Sequence, residues 1–100
     1  MKWTWTWSGK SFGYWDGEDL WTHLGKHVGR RVGDHIHAPN GRYIGEVMGN
    51  ERLATNKAKA GEIGPIYLRC ATRTSQPCLS DDAAHPRYPG FDDFPHPDEL

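Results

Sequence analysis

The sequence predicts an all-β chain. It reads as four sequential β-hairpins of about sixteen residues, in a pseudo-fourfold, flower-like radial arrangement or a small closed barrel, with a Pro-rich C-terminal tail. Three observations predict this. Glycines recur every sixteen residues, turn chemistry falls between alternating segments, and composition shifts near residue 64.

The repeat comes first. Gly9, Gly25 and Gly41 are sixteen apart, as are Gly13, Gly29, Gly45 and Gly61, and Gly17, Gly33 and Gly49. A base follows each glycine of the first series: Lys10, Lys26 and Arg42. Two residues further stand Phe12, Val28 and Ile44, and Leu20, Ile36 and Leu53 close the units, the last after a one-residue slip. The fourth copy is degenerate, keeping Gly61 but placing Lys57 where the turn glycine belongs.

Each unit reads as a hairpin. Asn40-Gly41 suits a two-residue type I′ turn, which needs positive φ at both central positions, and Ser8-Gly9 and Leu24-Gly25 stand at the same place. That loop length sets Trp7 opposite Lys10, Trp5 opposite Phe12 and Trp3 opposite Tyr14. It likewise sets Trp21 opposite Val28 and His37 opposite Ile44, so Trp5, Trp21 and His37 share one equivalent, core-filling site. Asp16-Gly17, Val32-Gly33-Asp34 and Gly49-Asn50 supply the second turns. Gly13, Gly29, Gly45 and Gly61 then mark crowded strand positions, near the common axis or facing Leu20, Ile36 and Leu53.

Residues 1–64 are read as the repeat domain and residues 65–100 as an acidic, Pro-rich tail, partly docked or disordered. The first part holds all five tryptophans and nets +2; the second holds six of the seven prolines and nets −3. Ile66-Tyr67-Leu68 reads as a short strand docked on the domain, and Phe91 and Phe94 as docking aromatics, in cis or in trans through self-association or a protein partner. Mean hydropathy of −0.80, no apolar run near the roughly 18 residues of a spanning helix, and an alternating start point to a cytoplasmic chain without a secretory signal. A net charge of −1 argues against a broad basic nucleic-acid binder.

The run from Gly13 through Tyr14-Trp15-Asp16-Gly17 and Gly25-Lys26-His27-Val28 to Gly29 resembles the four-fold β-flower proteins. Asn40-Gly41-Arg42-Tyr43-Ile44-Gly45-Glu46-Val47 and Asn50-Glu51-Arg52-Leu53 share the likeness, which covers about residues 3–60. It implies a fold, with no reaction and no catalytic residues to carry over. β-flower folds are similar to tubby-like lipid-binding proteins, which points toward a membrane. No polybasic stretch and no lipidation cysteine near the start support that here.

No catalytic constellation, cofactor motif or ligand-spaced metal motif stands out. The expected function is therefore a non-enzymatic binding or assembly module. One alternative is an Arg/Trp face for nucleic acid or anionic lipid; another is a small His-dependent hydrolase. The candidate binding residues are Trp3, Trp7, Trp15, His23, His37, Arg30, Arg42 and Arg52. Bases interleaved with aromatics could stack on nucleobases and pair with phosphates, but the same residues equally fill a core and solvate a strand. Cys70 and Cys78 lack Cys-x-x-Cys spacing and read as free thiols, with a disulfide across the short loop as the alternative.

Overall fold

The computed structural model describes residues 2–49, 51–77, 79–86 and 88–100. Seven strands form the barrel: β1 (Lys2–Thr6), β2 (Ser11–Asp16), β3 (Asp19–Thr22), β4 (His27–Val32), β5 (His35–His37), β6 (Tyr43–Met48) and β7 (Arg52–Asn56). Neighbours pair antiparallel in chain order, and β7 returns to pair parallel with β1, closing the barrel. An eighth strand, β8 (Phe91–Asp93), lies outside the closed ring against β7.

Three hairpins form where the repeat places them, but the fourth does not. β7 runs into a 3-10 turn at Lys57–Lys59, capped by the Asn56 side chain, which accepts the Ala58 N–H. Without a turn glycine at residue 57 the chain cannot double back there. The first half of β7 pairs with β1; its second half, Ala54 to Asn56, pairs with β8 from the C-terminus.

The first turns also differ from expectation. Ser8, Leu24 and Asn40 keep negative φ, which excludes type I′. Gly9 N–H bonds the Thr6 carbonyl and Thr6 N–H bonds the Lys10 carbonyl, giving a three-residue loop with one left-handed glycine. The second and third hairpins repeat this at Thr22–Lys26 and Ala38–Arg42. The longer loop changes the register. Trp3 pairs with Tyr14, but Trp5 pairs with Ser11, Trp21 with His27 and His37 with Tyr43. Phe12, Val28 and Ile44 become the extra residue of a β-bulge at the same place in each hairpin. A bulge frees a side chain from strict alternation and bends the strand, as closing a small ring requires.

The bulged residues aim inward. Phe12, Trp15, Leu20, Val28, Ile36, Leu53 and Phe94 form the core, with Ile44, Val47 and Leu100 packed against it. Each fully buried large side chain contributes about 1.5–3 kcal/mol. Trp5, Trp21 and His37 do not share the inner core: Trp21 and His37 are buried and Trp5 half-buried, but on the outer face of the wall, while Thr4, Leu20 and Ile36 point inward and Trp15 is the tryptophan that joins the inner cluster. Of the crowded glycines, a Cβ at Gly13 would meet the Trp21 carbonyl, at Gly29 the Ile36 side chain, and at Gly45 the Phe94 ring. Gly61 meets nothing within 4 Å and falls outside that pattern.

Residues 62–77 and 79–86 wrap the loop end of the barrel as a strap. Ile66-Tyr67-Leu68 is not a strand; Tyr67 turns toward the barrel while Ile66 and Leu68 face solvent. The strap meets the three hairpin loops in reverse order. Gly64, Arg73 and Asp82 donate their N–H groups to the carbonyls of Gly41, Gly25 and Gly9, at 2.6, 2.7 and 2.7 Å. Three residues after each, Tyr67, Gln76 and His85 donate to the carbonyls of Pro39, His23 and Trp7. A nine-residue period on the strap thus meets a sixteen-residue period on the barrel. Phe94 then enters the core at 3% exposure, edge-on to Phe12 at 5.2 Å; Phe91 is half-buried beside Tyr88. A Cys70–Cys78 pairing lies outside the described residues, as does Asn50 of the third second turn.

Candidate functional site

The barrel has two ends, and the strap covers one. The other end is a mouth between the second turns, enclosing a cavity of about 680 Å³. Trp15, Arg31 and Val47 line it, and they are sixteen residues apart, so the repeat places three equivalent side chains on one rim. Trp15 forms the floor at 8% exposure, with the Arg31 guanidinium 6.0 Å from its ring centre. Met48 adds apolar wall. Two ion pairs span the rim: Lys2 with Glu51 at 3.1 Å, and Arg31 with Asp34 at 3.2 Å. The turns that set this geometry are tight. Gly17 and Gly33 each open a two-residue loop with positive φ at the first position, the type II′ signature.

The other candidate residues scatter. Trp3 packs edge-on to Tyr14 at 5.5 Å. Trp7 lies at the strap end, its indole N–H donating to the Pro86 carbonyl at 2.9 Å. Arg30 bonds Asp19 at 3.1 Å and lies over the Tyr67 ring. Arg42 is exposed beside a smaller cavity with Ile44 and Leu100. Arg52 is buried, donating to the carbonyls of Thr6, Trp7 and Ala83 and pairing with Asp82. His23 is half-buried and gives its carbonyl to Gln76. His37 is buried under Gly64, its Nε2 3.6 Å from Glu62. No single Arg/Trp face results from these positions.

Two polar clusters were not anticipated. Asp19, His27 and Cys70 bring a carboxylate oxygen, a ring nitrogen and a thiol within 4.8 Å of one another. The hydrogen bonds speak against a metal there. The His27 Nδ1 accepts the Cys70 backbone N–H at 2.9 Å, so the ring proton sits on Nε2 and is donated to Asp19 at 3.0 Å. The nitrogen facing Asp19 has no lone pair to offer, and Arg30 already brings a positive charge to the same carboxylate oxygen. The fully buried His27 fastens β3 and β4 to the strap.

The second cluster braces the 3-10 turn. The Lys59 amine donates to His35 Nε2 at 2.8 Å, and His35 Nδ1 then donates to Glu62 at 2.9 Å. Lys59 also reaches Glu46 at 3.3 Å, which accepts the Tyr43 hydroxyl at 2.8 Å. The hydrogen bond from His35 holds the Glu62 carboxyl below the usual range, and burial raises the Tyr43 and Tyr67 phenols, keeping both neutral donors.

No family model, curated protein or solved structure matches the chain. No helix among the described residues is long and apolar enough to cross a membrane.

Proposed function

We propose that this chain is a non-enzymatic binding module, built as a flower-like ring of hairpins, that takes a small ligand in the open mouth of its barrel. β8 stands in for the missing half of the fourth hairpin. One observation carries the reading: a cavity of about 680 Å³ lies at a barrel mouth, with an indole floor and a guanidinium above it. Such mouths are common ligand sites, and this volume lies within the usual range of about 300–1,000 Å³. The chemistry favours a small aromatic or apolar molecule carrying an anionic group. Its ring would rest on Trp15, Val47 and Met48. Its anion would take Lys2 or Arg31 in exchange for Glu51 or Asp34, at low cost because exposed pairs hold by about 0–1 kcal/mol.

The alternative Arg/Trp surface would need Arg30 and Arg52; Arg30 is already paired with Asp19 at the surface, and Arg52 is buried with Asp82. The test is a titration of the folded protein with aromatic carboxylates and the matching neutral amides, followed by NMR. The carboxylates are expected to shift the Trp15 indole and Arg31 signals, and Trp15→Leu to remove the response. Unmoved Trp15 and Arg31 signals across the whole panel at millimolar concentration would overturn the proposal.

A further inference from the structure

A second cleft lies at the opposite, strap-covered end, and it exists only because the C-terminal segment docks. It encloses about 390 Å³ between Trp7 of the first loop and His85, Tyr88, Phe91, Asp92 and Asp93 of the C-terminal segment. Three aromatic rings stand at steep angles around it. Trp7 and Tyr88 are 6.2 Å apart at 85°, and Tyr88 and Phe91 are 5.1 Å apart at 90°. His85 closes on Trp7 at 4.8 Å.

The cleft is held in shape from several directions. The Trp7 indole N–H is tied to the Pro86 carbonyl, and the Trp7 carbonyl accepts the His85 N–H at 3.1 Å. The Asp93 Oδ1 accepts the N–H groups of Ser8 at 3.2 Å and Phe94 at 3.0 Å, which fixes a carboxylate at the cleft wall. Asp92 lies beside it and shares its charge with Lys57 at 3.5 Å across an exposed gap. Among the described residues the lining therefore combines aromatic rings of differing orientation with two carboxylates.

We propose that this cleft binds an alkylammonium cation, such as a trimethylammonium group. Ring quadrupoles attract a diffuse, weakly hydrated cation, and methyl groups on nitrogen spread the charge over an apolar surface that several rings can share. A small anion is repelled by Asp92 and Asp93, and a bare ammonium gives up more hydration to enter. The site is separate from the barrel mouth, so either proposal can fail without the other.

The experiment is an NMR titration of the full chain with choline, with an acetylated trimethyllysine amide, and with 3,3-dimethylbutan-1-ol, the neutral isostere of choline. Comparing the first two probes shows whether the free headgroup or the amino-acid side chain is the better source of the cation. The cations are expected to shift the Trp7 indole and Tyr88 ring signals without moving Trp15, and the neutral alcohol to bind about fivefold or more weakly. Tyr88→Ala, at a half-exposed position, is expected to keep the melting temperature and lose binding by a similar factor. Equal binding of the alcohol, or cation binding unchanged in Tyr88→Ala, would overturn the proposal. Should Tyr88→Ala unfold, Phe91→Leu replaces it with the same two outcomes.

Discussion

The Arg52 guanidinium reaches the Asp82 carboxylate across 3.0 Å, joining the strand that closes the barrel to the last clasp of the strap. The arginine is 3% exposed and the acid faces solvent, so the two ends of the bond carry unequal weight. Arg52→Met removes the donor to the Ala83 carbonyl and the second donor to the Thr6 and Trp7 carbonyls. It is expected to cost about 2–4 kcal/mol in urea denaturation, and Asp82→Asn distinctly less.

Acid should loosen the same end. The Asp82 carboxyl is held below its ordinary value by the Ala83 N–H and by Arg52, and Glu62 is held low by His35. Groups with a depressed folded value stabilise the protein above their unfolded value of about 4, and that stability is lost as pH falls through the folded value. The melting temperature should therefore drop below about pH 4, and Asp82→Asn should shallow that drop. A limb of unchanged steepness in Asp82→Asn would show that the carboxylate is not coupled to folding.

Two glycines with positive φ separate backbone strain from close approach. Gly17 has open space around a notional Cβ, whereas at Gly25 that atom would sit 2.0 Å from the Arg73 carbonyl oxygen. Gly17→Ala should cost about 1–2 kcal/mol for its left-handed backbone alone. Gly25→Ala should cost more, and hydrogen exchange should show the Arg73 and Gln76 amides opening first.

Glu51 offers the reverse experiment. It is the one non-glycine residue with positive φ among those described, at 63°. Glu51→Gly should raise stability by about 0.5–1 kcal/mol, the relieved strain exceeding glycine's added chain entropy. Loss of the exposed Lys2 pair subtracts little. A lower melting temperature would show that the ion pair outweighs the strain.

Phe94 is the deepest contribution of the C-terminal segment. Phe94→Ala empties the space between Phe12 and Gly45 and should cost about 3–5 kcal/mol by chemical denaturation. A loss under 1 kcal/mol would mean that the barrel core is complete without the segment.

The period of sixteen made the three hairpins and their turn glycines legible, and Lys57 marked where the pattern fails. The bulges were hidden because Phe12, Val28 and Ile44 look like ordinary strand residues; only loop length distinguishes the two registers. That slip put Trp5 and Trp21 on the wrong side of the wall. At the mouth Trp15 was named, but the sixteen-residue series it forms with Arg31 and Val47 was not read, although the spacing was present in the repeat. Asp19, His27 and Cys70 leave no local trace, since the thiol lies 43 residues from the imidazole. The strap bonds through backbone atoms, which no side-chain pattern records; Pro77 and Pro86, nine apart, are its faint imprint.

Because the strap visits the loops from third to first, its clasps form a zipper with a built-in direction. Once Gly64 is fastened to Gly41, reaching Gly25 encloses only sixteen residues of barrel and nine of strap, and the step to Gly9 is the same again. Equal short steps replace one long ring closure, so each clasp lowers the entropic barrier to its successor. Opening one in the middle would force the remaining links to span twice the distance.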